Sequence, residues 1–209
     1  MSDQGGSAPG PQGSHGATFR GEDWFSEDLG AARHVDSTFI DVDLSEARSS
    51  GAVFERCVFS GVRFNASVHR ASAFVTCEFD GSNLFDATFD GCKMTGSVFT
   101  RCTMRPMKVR GGQWRGVSLR GADLSKLDLA DLDLREADLS LCNLTSTVLR
   151  GAQLSGASVR ETNLSATDLR GATLDGVDLA AARLRGTQLD LAGALLLAEL
   201  HGALVDVPL

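Results

Sequence analysis

The sequence lacks the short motifs that mark many enzymes. It contains no GxxxxGK[ST] phosphate loop, no GxGxxG turn opening a helix, no HExxH pair and no GxSxG elbow. Each of these motifs fixes a catalytic or cofactor-binding group in a particular fold, so those classes of site are excluded. We therefore expect a non-catalytic protein with no catalytic residue, no cofactor and no metal.

Long apolar segments are also missing. The chain has neither a run long enough to cross a bilayer nor the apolar core of a secretory signal. We expect a cytoplasmic protein without membrane association. Residues 1–16 are rich in Gly, Ser, Pro and Gln, which predicts a disordered N-terminal tail.

What the sequence does have is an unbroken five-residue period. Counting every fifth residue from Phe19 to Leu189, 32 of 35 positions are Phe, Leu, Met, Val or Trp. The exceptions are His34, Ser49 and His69. Two positions upstream, a second series holds Ala, Ser, Thr, Cys, Val or Gly at 30 of 35 positions. Its exceptions are Glu22, Glu27, Met107, Leu127 and Leu132.

A period of five fits neither a helix nor a long strand. It fits a short extended piece and a corner: in Ala122-Asp123-Leu124-Ser125-Lys126, the small residue and the Leu point inward and Asp123 points outward. Gly is frequent at the last position of the unit, where a positive φ is useful. The chain should therefore coil around a thin core of large residues and small spacers.

Units such as Ala-Asp-Leu-Ser-Lys (122–126), Ala-Asp-Leu-Ser-Leu (137–141) and Ala-Gln-Leu-Ser-Gly (152–156) resemble the A(D/N)LxX consensus of pentapeptide-repeat proteins. The resemblance implies an all-β fold, a right-handed, four-sided β-helix with twenty residues per coil and about nine coils over residues 17–190. An observation on the residues supports this interpretation, because five Phe residues spaced by twenty would stack on one inner side. They are Phe19, Phe39, Phe59, Phe79 and Phe99.

The five cysteines all fall in the small inward series, and no CxxC pair occurs. They are Cys57, Cys77, Cys92, Cys102 and Cys142. We interpret them as compact buried residues that replace Ala rather than as metal ligands. Cys57 and Cys77 would lie within disulfide range on adjacent coils, but a reducing cytosol favours thiols.

The pattern changes after Leu189. Residues 190–201 combine strong helix formers with apolar residues on nearly every side, which predicts a short helix within a C-terminal segment, 191–209, that caps the open end of the coil. We also predict that this segment joins two chains as a homodimer. The candidate interface residues are Leu195, Leu196, Leu197, Leu200 and Leu204.

Ser49 and His69 would be neighbours on adjacent coils. A Ser–His nucleophile pair is one interpretation, and an underpacked or locally opened inner wall is the other. We favour the second, because catalysis needs a cleft and an oriented third group, and the rod interior offers no obvious cleft.

Charge is distributed in three bands. Residues 17–90 have 13 acids and 6 bases, residues 91–122 have 7 bases and no acid, and residues 123–209 have 13 acids and 7 bases. The basic belt comprises Lys93, Arg101, Arg105, Lys108, Arg110, Arg115 and Arg120. The acidic run that follows it comprises Asp123, Asp128, Asp131, Asp133, Glu136 and Asp138.

Two functions remain open at this point. Some pentapeptide-repeat proteins bind DNA gyrase as DNA mimics and inhibit it or protect it from quinolones. The resemblance, the net charge of −7 and the acidic run as candidate partner-binding residues favour that function, without direct binding of nucleic acid. The alternative is a structural or scaffold protein with another partner. A basic belt that encircled the rod would disfavour mimicry.

Overall fold

The computed structural model describes residues 11–205, which form a β-solenoid followed by one short helix. Every strand is three residues long and pairs in parallel with residues twenty positions away, as Phe19 pairs with Phe39. A coil therefore takes twenty residues and has four faces, each contributed by one five-residue repeat. The predicted all-β solenoid with a short C-terminal helix is confirmed.

Three of the faces carry sheets. Face A contains β1 (Gly13–His15), β3 (Arg33–Val35), β6 (Val53–Glu55) and β9 (Ala73–Val75). Face B contains β2 (Thr18–Arg20), β4 (Thr38–Ile40), β7 (Val58–Ser60), β10 (Glu78–Asp80) and β12 (Val98–Thr100). Face D contains β5 (Arg48–Ser50), β8 (Val68–Arg70), β11 (Thr88–Asp90) and β13 (Lys108–Arg110). Face C, between faces B and D, consists of isolated parallel bridges beginning with Asp23 and Asp43.

The strands make about five coils, because the longest sheet has five of them. Beyond Arg110 the chain follows the same path without strands, and isolated bridges at the twenty-residue spacing continue to the pair Asp168–Gln188. The predicted figure of about nine coils thus differs from the five that carry strands.

The coil also begins earlier than predicted. Residues 1–10 of the expected tail lie outside the described residues, but β1 already pairs with β3. The boundary placed at residue 16 is wrong, since the extended segment Gly13–His15 finds a pairing partner in the next coil.

The predicted stack of Phe rings is present inside face B. Successive ring centroids from Phe19 to Phe99 are separated by 5.1, 4.8, 4.8 and 4.4 Å. These separations match the roughly 4.8 Å between paired strands, so each flat ring occupies one coil. All five cysteines are free, and four of them are buried.

The small inward residues satisfy carbonyl groups of the coil before them. Ser97 Oγ donates to Phe74 O at 2.8 Å, Cys77 Sγ to Phe54 O at 3.3 Å and Thr162 Oγ1 to Leu139 O at 2.7 Å, each across 23 residues. Because buried polar groups need partners, this ladder allows Ser, Thr and Cys to replace Ala in the core.

Helix α1, Leu191–Leu200, closes the end of the solenoid. Asp190 caps it by accepting a hydrogen bond from Gly193 N at 2.9 Å. Leu196 and Leu197 pack against the core, whereas Leu200 and Leu204 are exposed. Within residues 11–205, no helix has the length and hydropathy needed to cross a membrane.

Candidate functional site

The solenoid opens between residues 101–111 of one coil and residues 120–130 of the next, and we call this gap the inter-coil cleft. No backbone hydrogen bond joins these two described segments. Backbone hydrogen bonds between coils, which we call the backbone ladder, are intact on either side. Phe99 N donates to Ser118 O at 2.9 Å, and Trp114 N donates to Asp133 O at 2.8 Å. The interruption is therefore confined to the corner after face B and to faces C and D.

Two sequence features account for the opening. Met107 and Leu127 occupy successive positions of an inward column that holds Ala87 one coil earlier and Thr147 one coil later. This column lies beside the large residues that already fill the core and elsewhere holds residues of about the size of Ala or Thr, so two long side chains at successive positions need more room than the regular coil leaves. In addition, Pro106 has no N–H to donate to the following coil.

The neighbouring column holds one large residue without an opening. Leu132 is also a large residue in the small series, but the residue one coil before it is Gly112. The pairing resumes there, with a bridge between Gln113 and Asp133. A single large residue in the small series thus leaves the pairing intact, whereas the opening coincides with two of them in successive coils.

The cleft admits solvent to the core. Cys102, Val109 and Ala122 are half-buried, although the equivalent Cys92 and Cys142 are 0% and 1% exposed. Three neighbouring hollows of about 710, 330 and 200 Å³ follow the gap. The expectation that the rod offers no cleft is therefore wrong.

The cleft is predominantly basic. Its three hollows are lined by the bases Arg101, Arg105, Lys108, Arg110, Arg120 and Lys126. Two acids, Asp123 and Asp128, also line it. Arg105 Nη1 reaches across the gap to Asp123 Oδ2 at 2.7 Å, the ion pair that spans the two edges. Burial raises the pKa of the Cys102 thiol to about 11, so this thiol is protonated and a poor nucleophile at neutral pH.

The acidic run does not form one face. Asp123 lies on face C, Asp128 on face D, Asp133 on face A and Asp138 on face B, while Asp131 and Glu136 occupy turns. Asp133 occupies an outward position, but it is only 7% exposed because the Arg135 side chain covers it.

Half of the acidic run is neutralised by arginines. Asp133 pairs with Arg135 at 2.7 Å, Glu136 pairs with Arg115 at 2.5 Å, and Asp123 pairs with Arg105. The hydrogen bonds from Arg135 and Arg115 lower the pKa values of Asp133 and Glu136, respectively. These carboxylates are ionised, but each shares its charge with a neighbouring guanidinium.

The basic belt encircles the rod. Lys93 lies on face A, Arg120 on face B, Arg105 on face C and Lys108 on face D. Its members also pair outward in both directions along the axis, since Arg101 and Lys108 bind Asp80 and Asp86 of the preceding coil. Arg105 and Arg115 bind Asp123 and Glu136 of the following coil. The three charge bands are thus joined by ion pairs between coils.

Ser49 and His69 are adjacent, as the sequence predicts, but both are buried. Ser67 Oγ donates to Phe64 O at 2.8 Å and therefore accepts from His69 Nε2–H at 3.1 Å. His69 Nδ1 is left as the acceptor for Ser49 Oγ–H at 2.8 Å. Desolvation lowers the pKa of His69 to about 3, so the imidazole is neutral.

The same arrangement occurs around His34. Ser14 Oγ lies 2.8 Å from His34 Nδ1 and 2.8 Å from Ser37 Oγ, as Ser49 Oγ lies 2.8 Å from His69 Nδ1 and 2.9 Å from Ser72 Oγ. Both imidazoles stack in the aromatic core, His34 on Phe54 at 5.1 Å and His69 on Phe89 at 5.3 Å. His34, Ser49 and His69 are therefore part of a closed core in which their side chains are hydrogen-bonded, and the predicted local opening is wrong at these positions.

A profile of pentapeptide repeats matches the chain in eight copies, over residues 36–67, 73–105, 108–140, 122–160 and 160–192. The chain belongs to the pentapeptide-repeat family. The resemblance inferred from the sequence is thereby confirmed. A comparison with curated protein sequences gave no match.

Among solved structures, the solenoid is similar to two pentapeptide-repeat folds. QnrB1, a plasmid-mediated fluoroquinolone resistance protein, matches with a TM-score of 0.57 and 20% identity, covering 91% of this chain and 100% of QnrB1. HetL, involved in heterocyst differentiation regulation in the cyanobacterium Nostoc sp. strain PCC 7120, matches with a TM-score of 0.50 and 26% identity. That match covers 87% of this chain and 85% of HetL. The two neighbours carry different roles on one fold, so the shared fold does not select a partner.

Proposed function

We propose that this pentapeptide-repeat protein is a non-catalytic rod that binds another protein through its charged surface. The observation that carries the proposal is the basic belt, which lies on all four faces and borders the inter-coil cleft. Lys93, Arg110 and Arg120 of this belt make no ion pair with any residue in the described range 11–205. They are available to the carboxylates of a partner.

The groups that resemble a reactive site support binding rather than catalysis. Ser49 and His69 are buried, and their hydrogen bonds are used within the core. The Cys102 thiol is protonated at neutral pH because its pKa is raised to about 11. A nucleophile needs both access and activation, and neither group combines them.

The charge distribution favours a partner other than DNA gyrase. A DNA mimic needs a continuous acidic face, because duplex DNA presents one charge per roughly 1.7 Å of its axis. Here the acidic run is spread around the rod, half of it is paired with arginines, and the belt interrupts every face. This arrangement supports an interaction or scaffold protein.

A gyrase-binding DNA mimic is the second candidate function. The observation that favours it is the similarity of the fold to QnrB1 over the whole length of that resistance protein. The chain's net charge of −7 is also in its favour.

A gyrase supercoiling assay with and without a quinolone separates the two candidates. The parent is compared with a variant in which the acidic run is neutralised: Asp123→Asn, Asp128→Asn, Asp131→Asn, Asp133→Asn, Glu136→Gln and Asp138→Asn. The matched control removes six other acids: Glu22→Gln, Asp41→Asn, Glu46→Gln, Glu78→Gln, Asp90→Asn and Glu161→Gln. An interaction protein leaves supercoiling unchanged in all three forms. Inhibition or protection by the parent and the control, lost in the acidic-run variant and at high salt, would establish mimicry instead.

Binding itself is tested by cross-linking through the belt. Amine-reactive cross-linking of the full chain in a cell extract, followed by mass spectrometry, should give one recurrent protein attached at Lys93 or Lys108. Cross-links that join only copies of this chain would contradict the proposal.

The homodimer predicted from the sequence is part of the proposal. The exposed Leu200 and Leu204, together with Leu191 at 72% exposure, extend the apolar surface of the cap away from the core. Light scattering should give twice the chain mass for the full protein. A monomer at micromolar concentration would refute the dimer.

A further inference from the structure

The inter-coil cleft exposes two rows of backbone groups that would be paired in a regular solenoid. One coil earlier Leu84 N donates to Thr103 O at 2.8 Å, and one coil later Leu124 N donates to Asn143 O at 2.9 Å. The equivalent bond between Met104 N and Asp123 O is missing, as is the one between Val109 N and Asp128 O. Each side of the cleft therefore has the character of an edge strand, which is a template for another chain.

The edge formed by residues 101–111 is the more basic of the two. It supplies four of the six bases that line the cleft, and no acid: Arg101, Arg105, Lys108 and Arg110. The opposite edge supplies Arg120, Lys126, Asp123 and Asp128. Arg101 and Lys108 are paired with Asp80 and Asp86 of the preceding coil, but the six bases still exceed these two acids and the two acids of the lining, so the cleft reverses the sign of the chain as a whole, whose net charge is −7. An anionic ligand complements this site.

We propose that the inter-coil cleft binds an extended, acidic segment of a partner protein, which adds as a short β-strand along Cys102–Met104 on face C, where the hollow of about 710 Å³ lies. The proposal rests on the proposed function, that the rod binds a protein, and it names the chemistry of the bound segment. Main-chain hydrogen bonds to the open edge would supply affinity, and carboxylates on alternate residues would meet the bases.

The lining favours a peptide over a nucleic acid. The unpaired groups alternate between donors and acceptors, such as Cys102 O followed by Met104 N, and this alternation matches another peptide backbone. Only one aromatic residue, Phe99, is among the described residues that line the hollows at the gap, and it is buried. Single-stranded nucleic acids usually stack on exposed aromatic side chains, which this site does not offer.

The ion pair across the cleft indicates how a carboxylate would be held. Arg105 now binds Asp123 of the opposite edge at 2.7 Å, and the Arg105 side chain is 36% exposed. A carboxylate of the incoming segment can take the place of Asp123, since the two groups are chemically the same. Lys126 lies on the same lining and adds a second positive charge.

Fluorescence anisotropy with a labelled peptide tests the proposal on the full chain. The probe is an eight-residue peptide of alternating Glu and Val, which favours an extended conformation. Two matched probes accompany it: the same peptide N-methylated at alternate amides, which removes strand pairing but keeps the charge, and an eight-nucleotide oligothymidylate. We expect the Glu–Val peptide to bind at least about tenfold more tightly than either matched probe.

The variant Arg105→Glu with Lys126→Glu removes the proposed carboxylate partners. Both side chains are solvent-accessible, so the fold should persist. The control, Arg183→Glu with Arg185→Glu, makes the same charge change on face C outside the cleft. Peptide binding should fall at least about tenfold in the first variant and stay within about twofold of the parent in the control.

Three results would overturn the proposal: equal binding of the N-methylated peptide, tighter binding of oligothymidylate, or an equal loss of binding in both double variants. The cleft can fail without the proposed function: no cross-linked partner would overturn the proposed function, whereas one outcome removes the cleft alone. If a partner cross-linked at Lys93 or Lys108 still binds the Arg105→Glu, Lys126→Glu variant, the protein-binding function stands but the cleft is not the binding site.

Discussion

The two halves of the solenoid run in one register but build their coils differently. Up to Arg110, three-residue strands alternate with bridges, and every strand is centred on Phe, His, Ser or Val. In the described residues, no Leu-centred repeat forms such a strand, and the Leu-rich coils after Gln113 are held by isolated bridges. Flat rings stack face to face at the strand spacing, whereas branched aliphatic side chains interlock without stacked planes. The comparison shows that the five-residue period fixes the path of the chain, whereas strands form only in the Phe-rich half, up to Arg110, and only on faces A, B and D; the repeat centred on Phe64, on face C, forms none.

The halves meet at the inter-coil cleft. The Phe-rich half ends at β13, and the opening starts on the same coil. Each half is internally continuous, because in a solenoid a coil contacts mainly its neighbours. A break in the ladder therefore exposes two edges without unfolding either half.

The largest expected effect comes from emptying one core position in each half. Phe59→Ala should lower the free energy of unfolding by about 3–5 kcal/mol, and Leu134→Ala by about 2–5 kcal/mol. Both side chains are fully buried, at 0% exposure. Urea unfolding gives the totals, and hydrogen exchange shows where protection is lost. Loss spread evenly over both halves in each variant would contradict the view that the halves are separate units.

Acid should weaken the Phe-rich half first. In the native state burial lowers the pKa of His69 to about 3 and keeps the imidazole neutral. In the unfolded chain His69 has its ordinary pKa of 6.5 and takes up a proton below that pH. Stability is therefore unaffected above pH 6.5 and falls by about 1.4 kcal/mol per pH unit as the pH drops from 6.5 towards 3. The lowered pKa of His34 acts in the same direction.

Urea midpoints at pH 7.5, 6.0 and 4.5 measure this loss. His69→Phe should flatten the pH dependence, because the ring stack with Phe89 is kept and the titrating group is gone. The matched control, His201→Gln, changes an exposed histidine beyond the Leu-rich half and should leave the slope unchanged. An unaltered slope in His69→Phe would refute the role given to its burial.

Small residues at the two large positions of the inward column, Met107 and Leu127, should close the inter-coil cleft. The double variant Met107→Ala, Leu127→Thr gives this column the residue sizes found in the adjacent coils. If Met107 and Leu127 hold the two coils apart, backbone hydrogen bonds can then form across the cleft. Hydrogen exchange at Met104 and Val109 should then slow by at least about tenfold, since these amides gain partners. The control Leu132→Thr alters a neighbouring column where pairing already exists. Unchanged exchange at both amides would show that Met107 and Leu127 do not cause the opening.

The smallest effect is expected from the cysteines, one in each half. Cys92→Ala and Cys142→Ala should each cost on the order of 1 kcal/mol, because a compact buried group and its weak hydrogen bond to a carbonyl are lost. Burial raises the pKa of both thiols to about 11, so neither should react with a thiol reagent while the protein is folded. A loss well above 2 kcal/mol, or rapid labelling of the native protein, would contradict a purely packing role.

The sequence indicates the inter-coil cleft only through residues that depart from the repeat pattern. Met107 and Leu127 stand out as large residues in the small series, twenty positions apart, and Pro106 precedes the first of them. Their joint meaning was missed because the register itself does not slip, and an intact register suggests intact pairing. Whether a large residue in the small series fits, as Leu132 does, or accompanies an opening, as Met107 and Leu127 do, depends on packing that a period does not reveal.

The sequence by itself determined the path of the chain. Side-chain size at every fifth position decides what points inward, so the coil, the Phe stack, the buried cysteines and the capping helix follow from local pattern. The tertiary structure alone decided which charges face one another and where the ladder fails. Ion pairs such as Arg105–Asp123 and the opening beside them depend on side-chain reach and steric balance between coils, and these are set only when residues about twenty apart are brought together.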